Sequence, residues 1–194
     1  MSFVHAVAFA TVILSWLAFA LVFLTRAKPP KTSDQKKDSK SITGIVLQGL
    51  SYAIIWSVHR PFFTPMVAVT RVVDLSVAVV TIVGAVGSVM FTMSAVRSLG
   101  KEWSLTARVI EGHKLATQGP YALVRHPIYT GMLGMLIATG LAFSRWPALV
   151  IAILVFMVGT LIRIRSEESL LRELFGKAFD EYSGRVAAII PGVF

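Results

Sequence analysis

The sequence predicts an all-α integral membrane protein with five transmembrane helices, and three observations lead to this fold class. Hydrophobic residues make up 55% of the 194 residues and charged residues only 15%, while the mean hydropathy is +0.73. Soluble domains carry roughly 25% charged residues, so a soluble fold would leave much of this apolar surface in water. The apolar residues are also gathered into long runs, which indicates a single membrane domain.

Five apolar stretches are the expected helices, at residues 3–25, 42–58, 72–96, 127–144 and 146–162. About 20 apolar residues cross a bilayer, so the first and third stretches are long enough to span it, and the other three are near the lower limit. Gln48 is a polar exception in the second stretch. Arg145 alone separates the fourth stretch from the fifth, which predicts a tight antiparallel helical hairpin.

The lysine and arginine residues predict the orientation of the chain. Sixteen of the nineteen lie in residues 26–41, 97–126 and 163–194. Because basic residues collect on the cytosolic side of a membrane, we expect the N-terminus outside and the C-terminus in the cytosol. These residues also suit contacts with anionic membrane lipids, so no nucleic-acid partner is expected. The polar connection over residues 27–41 is typical of a solvated linker.

The chain has no cysteine, and this absence removes several kinds of chemistry. It excludes disulfide bonds, thiolate metal sites and a cysteine nucleophile. No metal site is expected elsewhere in the sequence.

Residues 119–131, with the sequence GPYALVRHPIYTG, form the most distinctive segment and lie at the cytosolic entrance of the fourth helix. The Gly-Pro pair predicts a turn, and Pro127 suits the first helical position, where its missing N–H costs nothing. The free amides and the positive dipole end at such a terminus favour carboxylates and phosphates. Arg125 and His126 are either ligand groups there or an ordinary cation and aromatic ring at the membrane interface.

The fifth helix emerges from the membrane into the sequence Arg-Ile-Arg-Ser-Glu-Glu. Arg163 and Glu167 are four positions apart in it, so they share one helix face. Because the hairpin is antiparallel and its turn is short, we expect this face at the depth of Arg125, His126 and Tyr129. Two distant stretches would then converge on one cytosolic pocket. The alternative is an exposed salt bridge worth about 0.2–0.5 kcal/mol.

Two further elements are expected at the cytosolic face. Residues 103–117 hold two short β-rich runs around a glycine, which predicts a small β-hairpin over the mouth of the pocket. His113 in its second run is either a ligand donor or an ordinary surface histidine. After the last span, apolar residues at helical spacing predict an amphipathic helix on the membrane surface; they are Leu170, Leu171, Leu174, Phe175, Ala178, Phe179 and Tyr182.

These residues resemble the isoprenylcysteine carboxyl methyltransferase family and its relatives among the phospholipid N-methyltransferases. The resemblance covers roughly residues 100–194, whereas residues 1–96 match only as three membrane helices. Residues 97–194 are therefore expected to be the catalytic half of the domain. The pattern that carries the resemblance is His113-x-Leu115-x-Thr117-x-Gly119-x-Tyr121-x-x-x-Arg125-His126-Pro127-x-Tyr129-x-Gly131, followed by Glu167-Glu168, Leu174-Phe175-Gly176 and Tyr182.

The resemblance implies S-adenosylmethionine as the cofactor, with catalysis by Arg163 and Glu167. It places His113 and Leu115 against the adenine and ribose, and it matches Arg163 to an arginine that the family places near the methyl acceptor. Residues 132–136 depart from eukaryotic members, which carry aromatic residues there. The cofactor-binding residues that it implies are His113, Leu115, Tyr121, Arg125, His126, Tyr129, Glu167 and Glu168.

The expected reaction is methyl transfer to the carboxylate of a lipophilic, isoprenylcysteine-like acceptor that enters from the bilayer. Such an acceptor is already ionised at neutral pH, so no general base is needed. A phospholipid or amine N-methyltransferase shares both motifs and is the main alternative. A sterol-type reductase and a non-catalytic membrane scaffold are more distant alternatives, which binding of S-adenosylmethionine would distinguish from a methyltransferase.

Overall fold

The computed structural model of the protein describes residues 3–24, 36–37, 40–66, 70–100, 108–109 and 115–193. Within these ranges every regular element is helical except for two strands of two residues each. The α-helices are α1 (Phe3–Leu24), α2 (Lys40–Ser57), α3 (Arg71–Leu99), α4 (Pro127–Phe143), α5 (Trp146–Phe175) and α6 (Lys177–Ser183). A 3-10 helix covers Gly119–Ala122, and the strands are β1 (Lys36–Lys37) and β2 (Arg108–Val109). The predicted all-α class is confirmed apart from this strand pair.

Three of the helices, α1, α3 and α5, are long and apolar enough to cross a membrane, and the chain is accordingly a multi-pass membrane protein. The two other apolar helices are shorter, at Ser41–Ser57 and Pro127–Phe143. With a rise of about 1.5 Å per residue, α4 is about 26 Å long, against about 30 Å for the hydrocarbon core of a bilayer. Crossing by α2 and α4, and so the count of five spans, stays a prediction.

The apolar run at residues 146–162 forms only the first part of α5, which continues without a break to Phe175. Arg163, Glu167 and Glu168 are therefore held on one continuous helix. The chain turns at Gly176, whose φ of +52° lies in the left-handed region that glycine adopts without steric cost. The predicted amphipathic helix is consequently divided between the end of α5 and α6.

The tight hairpin between α4 and α5 is confirmed, because only Ser144 and Arg145 separate the two helices. Ser144 donates its main-chain N–H to the Gly140 carbonyl at 2.9 Å and its hydroxyl to the Val58 carbonyl at 2.8 Å. The N–H of Arg145 donates to the same Val58 carbonyl at 3.3 Å. These bonds attach the end of α2 to the hairpin turn.

Helix α4 lies at the centre of the bundle, with an apolar cluster on each side. One cluster joins α4 to α1 and α3 through Val12, Phe19, Ala85, Val89, Met135, Ala138, Ala142 and Phe143. The other joins α4 to α2 and α5 through Ile55, Leu136, Leu149, Ala152 and Phe156. The most extensive helix contacts are between α2 and α5 and between α3 and α4, so the first half of the chain packs around the hairpin.

Glycines on α4 allow α3 to approach closely. A Cβ atom on Gly131 would overlap the hydroxyl of Thr92, and one on Gly134 would overlap that of Ser88. Small residues of this kind are what lets helices pack in lipid. A Cβ atom added to Gly87 on α3 would meet nothing within 4 Å among the described residues, so this position does not require a glycine for close packing.

The structure describes only part of the predicted β-hairpin within residues 103–117, and there the first run contains a strand whose observed partner is a different segment. Arg108–Val109 pairs antiparallel with Lys36–Lys37 of the first connection, and residues 115–117 form no regular element. The remainder of that stretch lies outside the described residues. The pairing also gives the predicted linker at residues 27–41 an ordered contact. A two-residue strand carries too little local pattern to reveal a partner about seventy residues away.

Candidate active site

Side chains from α4 and α5 meet at the open end of the hairpin. Tyr129, in the first turn of α4, donates its hydroxyl to Glu167 on α5 and accepts a hydrogen bond from Arg163 Nε at 2.8 Å. The guanidinium carbon of Arg163 lies 5.0 Å from the centre of the Tyr129 ring. Arg163 Nη2 lies 3.5 Å from Glu167 Oε1. The predicted convergence of the two stretches is confirmed.

His126 lies between two carboxylates. Its Nδ1 is 3.4 Å from Glu167 Oε2, and its Nε2 is 3.1 Å from Glu168 Oε1. Burial by itself lowers the pKa of His126, but the hydrogen bonds and charges of the two glutamates outweigh it and raise the pKa above its ordinary value. A protonated imidazole donates from both nitrogens, which fits two facing carboxylates.

Arg125 joins Glu168 to the C-terminal part of the chain. Its Nε donates to Glu168 Oε1 at 2.9 Å. Its Nη1 donates to the Ser183 carbonyl at 2.8 Å and to the Val186 carbonyl. The charged network therefore continues from α5 through Arg125 to the turn that follows α6.

Residues 186–189 cover the start of α4. The main-chain N–H groups of Arg125 and His126 donate to carbonyls of this segment at 2.8 and 2.9 Å, and the Thr130 hydroxyl donates to another at 2.7 Å. The N–H groups of Tyr129 and Thr130 bond to the His126 carbonyl at 3.0 and 3.2 Å. The expectation of free amides at this terminus is therefore wrong for these four groups, which already have partners in the protein.

Glu167 is the member of this network that is most open to a ligand. About a quarter of its side chain, 24%, is accessible, compared with 15% for Glu168 and 6% for Arg163. The cation of Arg163 and the Tyr129 hydroxyl hold the carboxylate in a fixed orientation. The arrangement presents an anionic group at the surface with buried donors behind it, which suits the binding of an ammonium group.

A cavity of about 620 Å³ lies beside the turn that holds Arg125. It is lined by Leu115, Thr117, Ala122, Ala178, Glu181, Tyr182, Arg185 and Val186. Tyr182 donates its hydroxyl to the Tyr121 carbonyl at 2.6 Å, and burial raises the pKa of Tyr182 to about 12. Burial, together with the nearby charge of Glu167, raises the pKa of Tyr121.

The structure brings most of the predicted site residues together. Leu115 and Tyr121 lie apart from the charged network, toward the cavity, and His113 lies outside the described residues. The roles of all these residues toward a ligand stay predictions. The residues joined in one network are Arg125, His126, Tyr129, Arg163, Glu167 and Glu168.

Sequence reasoning missed two contributors to this site. Gln48 of α2 places its Oε1 3.4 Å from Arg163 Nη1, and the segment at residues 186–189 bonds to the start of α4. Gln48 had a usable signal, because a polar side chain inside an apolar span is a functional candidate by default. The C-terminal segment had none, since a short run without periodicity does not reveal its partner.

Comparison with known proteins gives the reaction class. A family model described as phospholipid methyltransferase matches residues 75–178. This range is more than half of the chain, and it contains α4 and all six residues of the charged network. The chain belongs to the phospholipid methyltransferase family. The resemblance to membrane methyltransferases, isoprenylcysteine enzymes included, is thereby confirmed.

The relatives include proteins named as isoprenylcysteine methyltransferases, and the match covers only part of the length of each. A protein from Oryza sativa subsp. indica, named as a probable protein-S-isoprenylcysteine O-methyltransferase, is 33% identical over 99 residues, which is 50% of this chain and 52% of the relative. Protein-S-isoprenylcysteine O-methyltransferase B of Arabidopsis thaliana is 36% identical over 84 residues, or 43% of this chain and 42% of the relative. The chain thus spans about half the length of these two relatives or less.

A third relative matches along most of the chain. The uncharacterized protein YpbQ of Bacillus subtilis (strain 168) is 24% identical over 164 residues, which is 81% of this chain and 96% of the relative. The similarity to this relative therefore covers more of the chain than the family model does.

Proposed function

We propose that the protein is an S-adenosylmethionine-dependent methyltransferase that methylates the carboxylate of a lipophilic, isoprenylcysteine-like acceptor at the cytosolic face. The observation that carries this proposal is the convergence of Arg163, Tyr129 and Glu167 at one end of the hairpin. Family membership supports the reaction class. The charge and burial of these three side chains support the choice of acceptor.

The residues present fit S-adenosylmethionine, whose sulfonium supplies an electrophilic methyl group when it is bound. The accessible carboxylate of Glu167 suits an α-ammonium group. The cavity of about 620 Å³ lies within the range of about 300–1,000 Å³ that is typical of ligand sites. Leu115 and Ala122 in its wall provide apolar surface for a nucleoside, and Glu181 and Arg185 provide polar contacts.

Arg163 supports a carboxylate as the acceptor. It lies one helical turn from Glu167, deeper toward the apolar part of α5, and its side chain is almost fully buried. A buried guanidinium lowers the cost of bringing an anion out of water, and it opposes a protonated amine. An acceptor carboxylate would exchange with a present partner of Arg163 and bind the guanidinium through paired N–H donors.

The phospholipid methyltransferase model favours a second candidate, which is N-methylation of a phospholipid amine. An amine must lose a proton before or during transfer, so it requires a base. In the described part of the site the candidates are Glu167, Glu168 and Tyr129. The two candidates differ in their product, because an ester releases methanol in mild alkali and an N-methyl group does not.

The experiment that tests the proposal uses detergent-purified protein, methyl-labelled S-adenosylmethionine and a membrane lipid extract. We expect label in a lipophilic product and release of that label as a volatile compound after mild base. Base-stable label would replace the carboxyl assignment with the amine candidate. No label in any product, together with no binding of the cofactor, would contradict the methyltransferase proposal itself.

The proposal also includes five membrane crossings with the C-terminus in the cytosol. Because the native chain has no cysteine, single cysteines report the side directly. At the exposed positions His59 and Arg145 a cysteine should react only from outside, and at Arg97 and Lys177 only from the cytosol. Labelling of positions 97 and 145 from the same side would contradict a crossing by α4.

A further inference from the structure

Helix α2 carries a buried polar face inside an otherwise apolar helix. Ser41, Gln48 and Ser51 are all buried on this face, whereas Ile42 and Val46 on the opposite side are exposed. The buried face packs against α5. Because polar groups inside a membrane are costly and tend to serve a function, the question is what these groups do at α5.

Two glycines bring this face of α2 directly against the stem of Arg163. A Cβ atom on Gly44 would overlap the Cγ of Arg163 and would lie 2.6 Å from the Gly159 carbonyl oxygen. A Cβ atom on Gly159 would lie 2.8 Å from the Gly44 carbonyl oxygen. This close approach fixes the distance between the two helices, and with it the position of any α2 side chain relative to the guanidinium.

Gln48 uses both ends of its amide in this contact. Its Nε2 donates to Thr160 Oγ1 at 2.8 Å, which sets the orientation of the amide. Its Oε1 then faces Arg163 Nη1 at 3.4 Å. Arg163 is thereby held between Gln48 of α2 and the pair formed by Tyr129 and Glu167.

We propose that Gln48 is a positioning residue, which holds the guanidinium of Arg163 in the orientation that receives the acceptor carboxylate. This inference rests on the proposed function. A neutral amide suits the task, because it accepts a hydrogen bond from Arg163 without neutralising the charge that an anionic acceptor needs. The site therefore includes a helix that lies outside the range matched by the family model.

The test compares Gln48→Leu and Gln48→Glu with the control Ser51→Ala, using N-acetyl-S-farnesylcysteine as the acceptor. Ser51 is buried on the same face, and its hydroxyl donates to the Gln48 main-chain carbonyl at 2.6 Å rather than to Arg163. We expect Gln48→Leu to raise the KM for the acceptor about tenfold or more and to lower kcat, with S-adenosylmethionine affinity changed less than about twofold. Gln48→Glu should largely restore kcat but keep the raised KM, since its charge competes with the acceptor.

Two results would overturn the positioning role. The first is an unchanged acceptor KM in Gln48→Leu, and the second is an equal rise of KM in Ser51→Ala, which would indicate general loosening of the helix packing. Either result leaves the proposed function intact, because the unmodified protein would still transfer the methyl group.

A second measurement tests the contact between Gln48 and Arg163 without using any methyl acceptor. Thermal unfolding of Gln48→Leu, Arg163→Met and the double variant forms a cycle that does not depend on turnover. If Gln48 holds Arg163, Gln48→Leu lowers the Tm of the unmodified protein. The same substitution lowers Tm much less when it is made in the Arg163→Met variant. Fully additive losses of Tm would overturn the proposal, whereas failure of cofactor binding would overturn the proposed function.

Discussion

The two ends of α4 each meet a buried arginine, and the two arginines are held in different ways. Arg60, in the connection after α2, is 7% exposed, and Arg163 on α5 is 5% exposed. Within the described part of the chain, the guanidinium of Arg60 donates its hydrogen bonds to main-chain carbonyls. The acceptors are those of Thr64 at 2.9 Å, Ser144 at 2.5 Å, Leu141 at 2.8 Å and Ala142 at 2.8 Å.

Arg163, in contrast, is bonded to side chains from three helices. Its partners include the hydroxyl of Tyr129, the carboxylate of Glu167 and the amide of Gln48. Main-chain carbonyls do not titrate, and three of these four acceptors lie at the end of α4, so the bonds of Arg60 satisfy the terminal carbonyls of that helix. Side-chain partners can exchange with a ligand, which makes Arg163 the arginine with a candidate chemical role.

The largest effect on stability is expected from Arg60→Met. The variant leaves several buried carbonyls at the end of α4 without a donor, and each such group costs roughly 1–3 kcal/mol. We expect the free energy of unfolding in detergent to fall by about 3 kcal/mol or more. Arg145→Met, which removes an exposed arginine from the same turn, is the control. Equal stability of the two variants would show that Arg60 does not hold this helix end.

Arg163→Met should lower the activity and, unlike Arg60→Met, leave the protein folded. We expect the protein to stay folded and to bind S-adenosylmethionine, while turnover falls about 100-fold, which is typical for the loss of a preorganised donor. The measurement is kcat with the isoprenylcysteine-like acceptor beside a cofactor titration. Normal turnover in Arg163→Met would remove Arg163 from the acceptor site and would favour the amine candidate.

A moderate, pH-dependent effect is expected at His126. The raised pKa of His126 means that the folded protein binds this proton more tightly than the unfolded chain, whose histidine pKa is about 6.5. This stabilisation is fully present below about pH 6.5 and is lost as the pH rises through the folded pKa. The Tm difference between the unmodified protein and His126→Gln should therefore shrink with rising pH. A difference that grows with pH would contradict the bridging imidazolium.

The smallest effect is expected at Arg172, which shares a 2.8 Å ion pair with Asp180 across the turn between α5 and α6. Both side chains are more than half exposed, at 52% and 55%, and exposed pairs contribute little to stability. Arg172→Ala should leave Tm and turnover unchanged. A clear loss of turnover would show that α6 is coupled to the charged network through this pair.

The sequence was sufficient for the elements whose signals are local. Long apolar runs predicted the helices, and the two residues between α4 and α5 predicted the hairpin. That hairpin, together with the spacing of four between Arg163 and Glu167, was enough to predict that Tyr129 and Glu167 would meet. In these cases the partners are either close in sequence or joined by one rigid turn.

The parts that were missed depend on contacts over long sequence separations. Nothing near Gln48 indicates that it faces Thr160 and Arg163, since the approach is set by glycines on two separate helices. The pairing of Lys36–Lys37 with Arg108–Val109 and the bonds from residues 186–189 to the start of α4 have the same character. Each follows from the packing of the whole bundle, which no local period encodes.

The most direct test of the central claim is a calorimetric titration of the detergent-purified protein with S-adenosylmethionine. We predict saturable binding to the unmodified protein, with affinity weakened by about 1.5–3 kcal/mol, or roughly 10- to 150-fold, in Glu167→Gln. Glu173→Gln, which changes an exposed glutamate on the same helix, should bind as the unmodified protein does. Equal affinity in a folded Glu167→Gln variant, or no binding to the unmodified protein, would contradict the assignment of this network to the cofactor.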